Sequence, residues 1–236
     1  MQRNFVNAGG LFMFRGPMPP DFIADALTSH LFYQLAASGQ HDPFSDAEAW
    51  RLEYIQVMLA FGQEISRTEV QSIPIGGPES LWSVIKSVLG KQISPGQLSQ
   101  VEATFTHLRN DDDTSLKVFE QYTTQPLTGE IGNSAPETPL PAVTTEENQA
   151  PRAVVLQLAF VDTVPFLTQV FLSFKTTCSS PILSLISQEQ VVGNLELNLI
   201  TAEFDVDTYE NIRETVLEML GPRRSSLIIE LGEVAS

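Results

Sequence analysis

The sequence predicts a single-domain α+β protein, and three observations carry that prediction. Residues 1–122 hold four helix-period patterns with recognisable start signals, and residues 153–236 hold three long runs with strand character. Between them, Thr123 to Arg152 is a stretch rich in Pro, Thr and Glu, with no Lys or Arg before Arg152. The whole chain, 1–236, is expected as one domain, helix-rich over 1–122 and strand-rich over 153–236, with 123–152 as a long acidic loop. The later strands need the earlier helices as cover, which argues against a domain boundary.

Taken in order, Leu11-Phe12-Met13-Phe14 follows Gly9-Gly10 and stops at Gly16-Pro17, as a strand would. Pro19-Pro20-Asp21 opens a helix with Phe22, Ile23, Ala26, Leu27, His30, Leu31 and Gln34 on one side and Gly39 at its end. Ser45 with Glu48 reads as a capping box for a second helix, striped by Ala47, Trp50, Tyr54, Ile55, Met58 and Phe61. After a break at Pro74 to Pro78, a third helix carries Leu81, Trp82, Ile85, Val88 and Leu89. Ser94-Pro95-Gly96-Gln97 caps a fourth, which buries Leu98, Val101, Phe105 and Leu108. This half thus reads as one strand and two helical hairpins. Leu116, Val118 and Tyr122 then read as the start of a strand.

A hairpin follows: Ala153 to Val161, a turn at Asp162 to Pro165, and Phe166 to Thr176. Val154, Leu156, Leu158 and Phe160 share one face of its first strand, and Phe166, Val170, Leu172 and Phe174 one face of its second. Leu195 to Phe204 is a further strand of the same length. Asp207 with Glu210 starts a helix buried through Tyr209, Ile212, Val216 and Leu220 and stopped by Gly221-Pro222. Leu227-Ile228-Ile229 is a short last strand.

Composition narrows the function classes. The 236 residues are 42% hydrophobic and 18% charged, enough apolar content for a real core. The formal net charge of -16 argues against nucleic acid as a partner, because phosphate neutralisation needs clustered Lys and Arg. An anionic membrane would repel the folded protein at long range, whereas a zwitterionic one would not. A single cysteine, Cys178, excludes an internal disulfide and a Cys-rich zinc site. No signal peptide is read at the N-terminus, and no window approaches the roughly 18 apolar residues of a membrane-spanning helix.

Catalytic signatures are missing from the sequence, so no enzyme, cofactor or metal is expected. His30, His41 and His107 have no second ligand at metal spacing, Gly76-Gly77-Pro78 lacks the Lys and Ser/Thr of a phosphate loop, and no GxSxG elbow occurs. Asp111-Asp112-Asp113 reads as a solvated turn, and Cys178 as inert packing or a modifiable thiol. Long alternating strands usually make an ordinary core. The functional reading of Ala153–Val161, Phe166–Thr176 and Leu195–Phe204 rests on their length, since a tilted strand of about ten residues spans a bilayer. Backbone polar groups in lipid must all be paired, so such strands would enter only as a closed oligomeric barrel.

The order of elements resembles the Cyt δ-endotoxins of insecticidal bacteria, a family that includes the fungal volvatoxin-type cytolysins. Asn4-Phe5 to Pro17 is similar to that family's first strand, Ser87-Val88-Leu89-Gly90 to the end of its third helix, and Val101-Glu102-Ala103-Thr104-Phe105-Thr106-His107-Leu108 to its fourth. Val155-Leu156-Gln157-Leu158 through Phe174-Lys175 resembles its central hairpin, Leu195 to Leu220 the strand and helix after it, and Ser226 to Val234 its last strand. Two departures are visible: the family carries a longer N-terminal lead that proteases remove, and a shorter, less acidic connection than Thr123 to Arg152.

The resemblance implies a Cyt-like α/β/α sandwich, a central antiparallel sheet between two layers of helical hairpins. It also implies a cytolytic, haemolytic toxin that binds target-cell membrane lipids directly, frees its helical layers, inserts long strands and self-associates into pores or aggregates. The lipid-facing candidates carried by the matching strands are Val154, Leu156, Leu158, Phe160, Val170, Leu172, Phe174, Leu197 and Leu199. The acidic composition fits release from dense intracellular inclusions that dissolve at alkaline pH as carboxylates repel. Two alternatives remain open at this stage: a lipid-binding or acylated virulence protein, with the chain on Cys178, and a non-catalytic structural or interaction protein.

Overall fold

A computed structural model describes residues 2–75, 80–110, 114–127, 151–177 and 191–231. Among them are eight strands: β1 (Gln2–Asn7), β2 (Gly10–Arg15), β3 (Gln63–Pro74), β4 (Thr124–Pro126), β5 (Arg152–Thr163), β6 (Phe166–Thr176), β7 (Val191–Phe204) and β8 (Ile228–Leu231). They join one mixed sheet in the order β3-β7-β6-β5-β2-β1-β8, with β4 alongside β5. The helices are α1 (Pro20–Gln40), α2 (Ala47–Ala60), α3 (Leu81–Leu89), α4 (Pro95–Asn110), α5 (Thr114–Thr123), α6 (Val206–Glu210), α7 (Arg213–Leu220) and α8 (Arg223–Leu227). One face of the sheet is covered by α3, α4 and α5, the other by α1, α2 and α6 to α8. The α+β sandwich expected from the sequence is the fold observed.

The sheet is antiparallel throughout its long section, β3-β7-β6-β5, and turns parallel at one junction, where Gly10–Phe14 of β2 runs beside Gln157–Val161 of β5. A parallel pair needs a long crossover, and here everything from α1 to β4 lies between β2 and β5 in the chain. The sheet therefore draws strands from both halves of the sequence.

Local chemistry explains the element ends. Ser94 and Gln97 form the expected reciprocal cap: the Ser94 N–H donates to Gln97 Oε1 at 2.6 Å and the Gln97 N–H to Ser94 Oγ at 3.3 Å. At α2 the expected Ser45 cap is replaced by Asp46, whose Oδ1 accepts from the Ala49 N–H at 3.1 Å. The neighbouring Asp42 takes the Phe44 and Ser45 N–H groups and turns the chain one step later than the capping-box spacing suggests.

Four further expectations are corrected. The first half contributes three strands rather than one, since β1 hairpins onto β2 and β3 pairs along β7. Leu116, Val118 and Tyr122 lie on helix α5, which buries Ser115, Phe119 and Thr123 at helical spacing and reaches the strand β4 only at Thr124. The helix after Asp207 is broken at Asn211–Ile212 into α6 and α7, with Asp205 as the cap of the first piece. The region 123–152 is not loop at its start, because Thr124–Pro126 pairs with Arg152–Val154. Residues 128–150, Gly76-Gly77-Pro78, Asp111-Asp112-Asp113 and Cys178 lie outside the described residues.

Candidate functional site

The nine candidate residues converge on one surface. Pairing sets Leu158, Val170 and Leu199 in one row across β5, β6 and β7, and Leu156, Leu172 and Leu197 in the next. Val154 lies opposite Phe174, and Phe160 opposite Thr168. Because side chains alternate at period two, all nine point to the same side and join one apolar cluster, each no more than 5% exposed. Phe166, expected on this face, lies at the strand end and is 48% exposed.

The lid over these rows is apolar too. Leu81, Ile85 and Leu89 of α3, Val101 and Leu108 of α4 and Phe119 of α5 pack against them. Each such side chain stabilises the closed form by about 1.5–3 kcal/mol when fully buried. Among the described residues, the hydrogen bonds from α4 and the α3–α4 connection to the sheet go elsewhere: Gln100 Nε2 donates to Asn4 Oδ1 of β1 at 2.7 Å, and Arg15 of β2 donates to Ser94 Oγ at 3.3 Å. Gln92 bridges Arg67 and Glu69 of β3.

The opposite face is built differently. Gln157 and Gln169 sit on it in the middle of β5 and β6, 2% and 0% exposed. Tyr54 of α2 donates its hydroxyl to Gln169 Oε1 at 2.9 Å, while Gln157 Nε2 donates to Tyr54 Oη at 2.9 Å and to Gln169 Oε1 at 2.5 Å. His30 of α1 closes the network. Gln63 Nε2 donates to its Nε2 at 3.1 Å, which assigns the proton to Nδ1, and Nδ1 then donates to Tyr54 Oη at 2.5 Å. Complete burial pushes the His30 imidazole down to about 3 and the Tyr54 hydroxyl well above its ordinary value. Gln34 of α1 adds a clamp, accepting from the Gly9 N–H at 3.1 Å and donating to Asn7 O at 3.0 Å. Asp25 of α1 takes Arg213 of α7 in a two-bond fork at 2.8 and 2.6 Å.

Both layers pack apolar side chains on the sheet, and among the described residues it is the α1–α2 layer that adds a buried polar network to the middle of β5 and β6. Buried directional bonds to strand glutamines thus help to hold α1 and α2, whereas α3 covers β5 to β7 through non-directional apolar contact. Sequence reading found the apolar rows and missed the polar network. The available signal was a glutamine inside each apolar run, Val155-Leu156-Gln157-Leu158 and Gln169-Val170-Phe171-Leu172, because a polar side chain at a core position must find partners.

Among the described residues no group of three or more His, Cys, Asp or Glu side chains is disposed to hold a metal ion. No described helix is long and apolar enough to cross a membrane, which leaves strand insertion unaddressed.

No family model matches the chain, and no curated protein does. Solved structures do. The chain is similar to a structure named delta-endotoxin, at 17% identity over 84% of each chain with a TM-score of 0.42. It is similar to the activated Cyt2Ba monomer from Bacillus thuringiensis subsp. israelensis, at 16% identity over 84% of this chain and 99% of that one, TM-score 0.41. It is also similar to the Evf virulence factor, at 13% identity over 91% of this chain and 81% of that one, TM-score 0.42. All three likenesses are at 17% identity or less, with TM-scores below 0.5.

Proposed function

We propose that the protein is a membrane-active cytolysin that exposes the β5–β7 face by lifting the α3–α4 hairpin, inserts those strands into lipid and self-associates there. The observation that carries this reading is the contrast between the two layers. The face bearing Leu156, Leu158, Val170, Leu172, Leu197 and Leu199 lies under an apolar lid. Apolar contact is non-directional and roughly proportional to area, so hydrocarbon can take the lid's place with little loss. The polar network on the other face has no substitute in lipid, where each unpaired group costs several kcal/mol. In this reading α1 and α2 stay with the sheet.

Strand lengths agree, since β5, β6 and β7 have 12, 11 and 14 residues and a tilted spanning strand needs about 9–11. The net charge of -16 favours zwitterionic over anionic lipid. Action on a target-cell membrane after release from the producing cell follows from the same reading, with no catalytic step.

The test ties the lid down. Arg67→Cys and Gln92→Cys, whose native side chains touch, are joined by a cleavable bis-maleimide in a Cys178→Ser background. Wild type should release dye from phosphatidylcholine vesicles. The bridged variant should be at least about tenfold slower, equivalent to a barrier raised by about 1.4 kcal/mol, and should recover when the bridge is cut. Equal release with the bridge intact would exclude lifting of α3–α4.

A further inference from the structure

The sheet ends at β3 in a long edge. Among the described residues β3 pairs with β7 alone, and no strand borders its other side. The opposite edge, β8, is only four residues long. An open edge presents a row of unpaired N–H and C=O groups that a further strand can take up.

Two features bound the part of β3 that can accept one. The register against β7 slips at Ser66, where β3 carries an extra residue between Ile65 and Arg67, and such a bulge interrupts pairing. Pro74 closes the other end, because it has no N–H to give. Between them, Arg67 to Ile73 run in unbroken register beside Thr201 to Leu195. Val70 stands midway between Ser66 and Pro74 and is 62% exposed.

That symmetry selects the occupant. When two copies of the segment run antiparallel about a two-fold axis at Val70, each Val70 faces its own copy. Thr68 then faces Ser72, Glu69 faces Gln71, and Arg67 faces Ile73. Thr–Ser pairs across strands are stabilising, and the Gln71 amide can donate to the Glu69 carboxylate. Pro74 falls opposite the bulged Ser66, so its missing N–H costs no ladder bond. No like charges stand directly opposite. A register centred on Glu69 would set that carboxylate against itself, and one centred on Thr68 would run Val70 into the bulge. The charges of the segment are balanced within one chain, since Arg67 donates to Glu69 and to Gln92, and Gln92 to Glu69.

We propose that β3 is a homodimer edge, at which two copies of this chain pair antiparallel about Val70. A seven-residue strand pair falls short of the roughly 1,200–2,000 Å² that stable complexes bury, so the dimer is weak. The axis is perpendicular to the sheet, which keeps the β5–β7 faces of both copies on one side of a continuous sheet. That consequence deepens the membrane reading and rests on it. The pairing itself needs no lipid.

The experiment is sedimentation of the full chain at 0.15 M salt, where repulsion between the net charges is screened beyond about 8 Å. Wild type should pass from monomer to dimer with a Kd on the order of 0.1 mM, as suits a transient interface. Val70→Lys and Val70→Glu each set like charges on the axis, at an exposed position that leaves the core untouched. Each should weaken pairing at least about tenfold. An equimolar mixture of the two should regain the dimer as a one-to-one pair, because unlike charges then meet. Val70→Lys reduces the net negative charge, so long-range repulsion does not account for its loss of pairing. Amides of residues 67–73 that point away from β7 should exchange quickly in dilute protein and slowly in concentrated protein. Slow exchange at every concentration would show that the chain covers its own edge, and would overturn the proposal. A wild type that stays monomeric, a dimer indifferent to Val70→Lys, or a mixture no better than its components would overturn it as well. A dimer that behaves as expected while phosphatidylcholine vesicles keep their dye would count against the cytolysin reading and leave the β3 pair standing.

Discussion

Ile85→Ala should make the protein less stable and its membrane activity faster. Ile85 is fully buried on α3 against the apolar rows of β5 to β7. Truncating a buried isoleucine costs about 2–5 kcal/mol through lost transfer energy and the cavity left behind. Urea unfolding should show that loss in the midpoint, and circular dichroism should show the variant still folded at 25 °C. The lost contacts belong to the closed lid alone, so lifting α3–α4 becomes easier by part of the same energy. Dye release should accelerate about tenfold for each 1.4 kcal/mol that reaches the lifting step. Tyr54→Phe is the control, because it destabilises the other layer by stripping the hydroxyl that Gln157 and His30 donate to and that serves Gln169. A buried group left unsatisfied costs about 1–3 kcal/mol. That variant should lose stability without gaining release rate. Acceleration by both would mean that general instability, and not the α3 lid, limits insertion.

The second large effect is on pH. Buried His30 stays neutral down to about pH 3 in the fold, whereas an unfolded histidine titrates near 6.5. Below pH 6.5 the unfolded chain binds a proton that the folded one refuses, so stability is complete above that value and falls as the pH drops towards 3. Between pH 6.5 and 4 the loss from this residue is roughly 3 kcal/mol, at 1.36 kcal/mol per unit. Carboxylates held below their ordinary range, such as Glu102 beside Trp82 and Lys86 and Glu230 beside Arg3, lose stability in the same direction. The His30 share is therefore read as the difference between wild type and His30→Gln. His30→Gln should begin less stable at pH 7 and show a shallower decline by about that amount. Parallel declines in the two proteins would remove His30 as the source.

Much of the fold was legible because local and tertiary preferences agree. Helix α4 begins where Ser94, Pro95 and Gln97 say it should, and the β5–β6 hairpin follows from alternation around Asp162 to Pro165. The misses have physical causes. Strand β3 carries Glu64, Arg67 and Glu69 and is largely exposed at the sheet edge, so it shows little hydrophobic pattern, and its partner β7 defines it. Helix α5 presents Leu116 and Val118 at a spacing that also fits a strand. Packing of Ser115, Phe119 and Thr123 decides the matter, and that is tertiary information. The apolar rows of the candidate face were readable from period two. The polar stitching of the other face was not, because its partners are far apart in sequence: Tyr54 and Gln169 are separated by 115 positions.

The most direct measurement follows single fluorescent labels along β7 at positions 196, 197, 198 and 199 on phosphatidylcholine vesicles, with a quencher carried on the lipid tails. If the β5–β7 face meets hydrocarbon, labels at Leu197 and Leu199 are quenched while those at Glu196 and Asn198 are spared, and the alternation arises with the same time course as dye release. Dye release with no quenching along β7, and quenching of labels on α3 or α4 in its place, would contradict strand insertion.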